Sequence, residues 1–153
     1  MKRSAALAPL SRDHHHALVV AARLRRATPE TAADATDAFL EYWERDGRQH
    51  FREEEEILLP AYAEHASPHR ALVARVLVEH VQIRALANTL HRSDELDPLS
   101  LQELGVQLAD HVRLEERELF PIIEKALPAA ALERVLRLLV PPLDTSGDLP
   151  PAA

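Results

Sequence analysis

Cysteine is absent from the sequence, and glycine and aromatic residues are scarce: three Gly, one Trp, two Tyr and three Phe. Without cysteine there are no disulfides, thiolate zinc sites, iron–sulfur clusters or thiol nucleophiles, and the composition suits the cytosol. Few aromatics and turn glycines disfavour sheet and favour helix. A basic excess is also lacking. The net charge is −7, from 18 Lys and Arg against 25 Asp and Glu, which argues against non-specific binding to nucleic acid. No apolar run approaches the roughly 18 residues that span a bilayer, so no membrane segment is predicted. Met1-Lys2-Arg3 carries charge, but the apolar stretch Ala5 to Leu10 is too short for a signal peptide. The expectation is a cytoplasmic protein.

What is present is helical patterning and histidine. The 153 residues fit one domain with a real core, and 46% of them are apolar. Nine histidines beside no cysteine point to imidazole and carboxylate ligands, which suit iron, manganese or zinc.

In chain order, Ser11 is a candidate cap for a first helix with Leu10, His14, Ala17, Leu18, Ala21 and Leu24 at amphipathic spacing. Thr28-Pro29 reads as the start of a long second helix, with Phe39, Trp43, His50, Glu54, Ile57 and Leu58 on one stripe. Gly47 weakens that helix, and Pro60 is expected to kink it or end it within about a turn. Ser67-Pro68 and Asp97-Pro98 repeat the start signal. The third helix carries Leu72, Val76, His80, Ile83, Ala87 and Leu90; the fourth carries Leu101, Leu104, Leu108, His111, Glu115, Leu119 and Ile122. Pro128 introduces a short fifth helix, expected to pack on the others, and residues 140–153 read as a disordered Pro-rich tail. Asp13-His14 aligns with Glu79-His80, so the first two helices look like a copy of the next two. The fold predicted is all-α: an up-down-up-down four-helix bundle over residues 10–139, with the fifth helix appended.

Two stretches of eleven residues, His50 to Pro60 and His111 to Pro121, match without gaps at the His, an Arg, two consecutive Glu, a Leu and the Pro. Residues four apart share a helix face, so His50 with Glu54 and His111 with Glu115 each form a nitrogen–carboxylate clip. Two clips on packed helices look like a two-metal site. His14 and His80 fall on the facing stripes. Taken singly, a lone core histidine is more often a hydrogen-bonded packing residue than a ligand, and an acidic run such as Glu53 to Glu56 is usually a solvated face. The set reads differently. Burying two uncompensated carboxylates costs several kcal/mol each, and a metal pair would neutralise both and take nitrogen from all four histidines. The candidate ligands are His14, His50, Glu54, His80, His111 and Glu115. His15 and His16 compete with His14, which the apolar stripe favours. Glu116 competes with Glu115, which the match to the second helix favours.

The pattern Asp-His, His-Phe-x-x-Glu-Glu, Glu-His and His-x-x-x-Glu-Glu…Leu-Phe-Pro, in that order over residues 10 to 127, resembles the hemerythrin-like (HHE) cation-binding domain family. The resemblance implies a bundle around two iron ions with an oxo or hydroxo bridge. It implies His50 and His111 as nitrogen ligands, Glu54 and Glu115 as bridging carboxylates, and His14 and His80 as the single histidines of the first and third helices. One departure stands out. Oxygen-carrying members have two histidines four apart on the third helix, whereas here His80 is followed by Arg84 and preceded by Val76. Two octahedral ions offer about twelve positions. Four histidines, two bridging carboxylates and a bridging oxygen fill about ten of them.

The resemblance thus implies a non-haem di-iron protein that binds or senses dioxygen or a related small molecule such as nitric oxide or peroxide. The alternative is a di-iron enzyme acting on peroxide or ferrous iron. A ferritin-like oxidase would show Glu followed three residues later by His, the reverse of both clips. A bundle without metal leaves Glu54 and Glu115 unexplained. A homodimer or another protein partner stays open.

Overall fold

The computed structural model describes residues 2–141. Its regular elements are five helices: α1 (Ala8–Arg25), α2 (residues 32–65), α3 (Arg70–Arg92), α4 (residues 98–126) and α5 (Ala129–Leu139). This is the all-α bundle with an appended fifth helix that the periodicity predicts. Apart from Val140 and Pro141, the expected tail lies outside the described residues.

Cross-helix contacts fix the directions. Asp13 meets His50 and His16 meets Asp46, so α1 and α2 run antiparallel. Ser11 meets Glu116 while Ala27 meets Gln102, which makes α1 antiparallel to α4 as well. Glu55 with His80 and Tyr62 with His69 do the same for α2 and α3.

Three expected caps move. α1 begins at Ala8, with Pro9 in its first turn, because Leu7 and Leu10 are both drawn into the core. Ser11 therefore sits inside the helix, and its hydroxyl donates to Glu116 Oε1 at 2.6 Å. Thr28 and Thr31 close a turn through each other's hydroxyls, so α2 starts at Ala32 rather than beside Pro29. Before α3 the capping residue is His69, whose Nδ1 accepts from the Leu72 amide at 3.2 Å. Asp97 caps α4 as expected, accepting from the amides of Leu99 and Ser100.

Neither Gly47 nor Pro60 ends α2. The helix runs through both by loosening into π-turns at Trp43–Gly47 and Glu54–Leu58, and α4 does so at Glu115–Leu119. A proline has no N–H to give and crowds the carbonyl four residues back. In both helices the residue before the proline bonds five back instead: Leu59 to the Glu54 carbonyl, Phe120 to the Glu115 carbonyl. The wider turn absorbs Pro60 and Pro121 and lets the helices continue to His65 and Ala126.

The core is split in two. One apolar half holds Ala21, Leu24, Phe39, Trp43, Ile83, Leu104 and Leu108. The other holds Leu10, Leu58, Val76, Leu119, Phe120 and Ile123, and is closed by Ala131, Val135 and Leu139 of α5. Along each bundle helix the candidate ligands fall between the halves, so they form a polar layer across the middle of the bundle.

Candidate metal centre

Six side chains make up that layer: His14 from α1, His50 and Glu54 from α2, His80 from α3, and His111 and Glu115 from α4. All are at most 3% exposed, and both glutamates are fully buried. The helix supplies the clips directly: His50 Nε2 is 3.0 Å from Glu54 Oε1, and His111 Nε2 is 2.9 Å from Glu115 Oε1. His14 and His80 complete the ring from the facing helices. His14 Nε2 lies 2.9 Å from Glu115 Oε2, and His80 Nε2 lies 3.1 Å from Glu54 Oε2.

These atoms sort into two groups, each able to hold one metal ion: His14, His50, Glu54 and Glu115, and Glu54, His80, His111 and Glu115. Each carboxylate turns one oxygen to each group. Glu54 Oε1 faces His50 and His14, while its Oε2 faces His80. Glu115 Oε2 faces His14, while its Oε1 faces His111 and His80.

The donors converge on points rather than on one another. His14 Nε2 and His50 Nε2 are only 3.0 Å apart. Two ligands at right angles, each about 2.1 Å from one ion, would lie about 3 Å apart. Glu54 Oε1 and Oε2, Glu115 Oε2 and His111 Nε2 are buried with no aligned hydrogen-bond partner, a costly condition that a cation in the layer would relieve. The donor set fits a pair of hard or borderline cations.

The other ring nitrogens are held from outside. His50 Nδ1 lies 3.1 Å from Asp13, His111 Nδ1 3.2 Å from Glu79, His14 Nδ1 2.7 Å from Glu116, and His80 Nδ1 2.8 Å from Glu55. An ionised carboxylate only accepts. Each therefore keeps a proton on Nδ1 and aims Nε2 inward, the arrangement that orients a ligating histidine. The four follow the internal repeat: Asp13 and Glu79 precede the lone histidines, while Glu55 and Glu116 follow the clip glutamates. Glu55 is thus not a solvated surface residue, since it faces His80 and Arg84. Sequence reasoning missed all four roles; the doubled Glu pairs and the Asp-His and Glu-His pairs were the signal. His15 and His16 are exposed and outside the layer, with His16 paired to Asp46 at 3.0 Å.

The histidines and glutamates of the layer shift one another's protonation. Burial opposes the charged imidazoles, but the facing carboxylates outweigh it. His50, His80 and His111 are pushed up to about 9, and His14 well above its ordinary value. Burial and the charge of Glu54 both work to raise Glu115, yet His111 and His14 bring it down to about 2. Glu54 is likewise held well below the usual carboxylate range, chiefly by His50 against the penalty of burial.

The profile of the hemerythrin HHE cation-binding domain matches residues 6–123. The chain belongs to that family. The match covers the whole polar layer and, except for the last three residues of α4, the four helices that build it. Neither the curated proteins nor the solved structures searched give a match. The buried His and Glu groups and the family together make this a metal-binding hemerythrin-like protein. No helix among the described residues is long and apolar enough to cross a membrane.

Proposed function

We propose that the polar layer is a di-iron centre, with two iron ions under an oxo or hydroxo bridge, and that the protein binds or senses dioxygen or a related small molecule in the cytoplasm. His14 and His50 would serve one ion, His80 and His111 the other, with Glu54 and Glu115 bridging both. One observation carries the reading: each glutamate presents its two oxygens to opposite histidine pairs, and three of those four oxygens lack a hydrogen-bond partner. When bound, such a pair supplies open coordination positions and one-electron redox chemistry at which a diatomic molecule or peroxide can be held. The chain's own part is to orient six donors, keep the Nδ1 protons in place and exclude bulk water. Ligands at most 3% exposed favour a guest no larger than a few atoms.

The first test is metal content with an ultraviolet–visible spectrum of aerobically purified protein, before and after adding ferrous iron. About two irons per chain with near-ultraviolet oxo-bridge absorption is the expected result. No metal, or a single zinc on an intact fold, overturns the reading. The second reading, an enzyme acting on peroxide or ferrous iron, draws on the count of four histidines, which leaves about two of twelve positions open. Steady peroxide turnover by iron-loaded protein supports it, whereas a stable oxygenated spectrum without turnover supports the binder.

A further inference from the structure

His14 and His80 differ from His50 and His111 in one respect: neither has a clip glutamate on its own helix. Each is instead gripped from outside by an arginine, a phenylalanine and a glutamate. Around His80, the Phe51 ring stacks at 3.8 Å and 4°. The Arg84 guanidinium lies 5.6 Å from the centre of the same Phe51 ring and donates to both oxygens of Glu55 at 3.2 Å. Glu55 in turn holds His80 Nδ1. Around His14, Phe120 stacks at 5.1 Å and 15°. Arg3 lies 5.3 Å from the Phe120 centroid and donates to Glu116 Oε2 at 2.7 Å, and Glu116 holds His14 Nδ1.

The two grips have the same four chemical parts, but only two of those parts follow the internal repeat. His14 matches His80, and Glu116 matches Glu55. Phe51 follows its clip histidine by one residue, whereas Phe120 comes nine after His111; Arg84 comes four after His80, whereas Arg3 stands eleven before His14. Duplication alone does not put an arginine and a phenylalanine in both places. The common requirement is a ring held on three sides: stacked on one face, hydrogen-bonded at Nδ1, with the carboxylate locked by a planar cation. Arginine suits that task because it stacks on an aromatic face while donating in its own plane, which lysine does not do.

We infer that Arg84 and Arg3 are positioning residues, each setting the metal affinity of one half of the centre through Glu55–His80 and Glu116–His14 respectively. This rests on the two-ion reading above.

The test is anaerobic titration of full-length wild type, Arg84→Gln, Arg84→Lys and Arg3→Gln with ferrous iron, with cobalt(II) visible bands reporting ligand geometry. Loss of an outer partner of a ligating histidine typically costs 10- to 100-fold in affinity. Arg84→Gln should weaken one of the two binding steps by about that factor, leave the other unchanged and shift the cobalt bands. Arg3→Gln should do the same to the opposite step. Arg84→Lys keeps the charge but loses the stack, and should recover only part of the loss. It carries the test if Arg84→Gln fails to fold. Wild-type titration curves and cobalt spectra for folded variants overturn the inference, as does an equal loss at both steps. A wild type that takes fewer than two ions sinks the two-ion reading itself, a result read before any variant is made.

Discussion

Every imidazole of the centre is held at Nδ1 by a carboxylate outside the layer and turns its Nε2 to the layer. Among the described residues, Glu54 and Glu115 alone belong to both donor groups, so Glu54→Ala or Glu115→Ala should abolish binding of the metal pair, as metal analysis after loading will show. His16→Ala, which loses an exposed pair with Asp46 and an edge contact with Tyr42, should leave metal content unchanged. Protonation gives a second handle. Imidazoles raised from 6.5 to about 9 contribute stability that is complete below pH 6.5 and lost as pH rises through 9. Glu115, lowered from 4.5 to about 2, contributes stability that is present above pH 4.5 and lost as pH falls through 2. Metal-free protein in chelator should therefore melt at progressively lower temperature between pH 6.5 and 9. Iron affinity should rise over the same range, because ligation displaces the imidazole protons. The six inward residues were legible in the sequence because a separation of four on a helix fixes a shared face. Asp13, Glu55, Glu79 and Glu116 were not, since they sit on helix flanks and their partners come from a neighbouring helix that periodicity does not specify.

At Gly105 the backbone of α4 lies directly against that of α1. A Cβ on Gly105 would lie 2.7 Å from the Ala21 carbonyl oxygen and 2.8 Å from the Arg25 amide nitrogen. The α1 backbone cannot yield as a side-chain tip can, so Gly105→Ala should destabilise the protein by about 1–3 kcal/mol, read as a lowered urea midpoint at unchanged slope. The helix spans were legible because apolar residues recur at three and four. The π-turns were not, because a single wide turn hardly disturbs that recurrence. Pro60 and Pro121 marked the place, and the sequence reading took Pro60 for a kink or an end. The helix does end little more than a turn past Pro60, at His65, and Leu59 and Phe120 find carbonyls five residues back. The π-turns before the two prolines begin at Glu54 and Glu115, so the local loosening falls where α2 and α4 present their buried carboxylates.

In the molecule as a whole, two apolar half-cores meet only across a charged layer. Metal at about 100 times its dissociation constant stabilises the folded state by about 2.7 kcal/mol, which for a chain of this size raises the melting temperature by roughly 5–10 °C. A scan with and without iron measures it. The same layering bears on cooperativity. Without metal, the half closed by α5 and the half around Trp43 are coupled through the continuous helices and a seam of His–Glu pairs, a weaker link than packed apolar contact. Calorimetry of the metal-free protein should then give an enthalpy larger than the van't Hoff value, the mark of more than one unfolding unit. On loading, the two values should converge. The ions would act on the chain as a weld, turning two half-proteins into a single thermodynamic body.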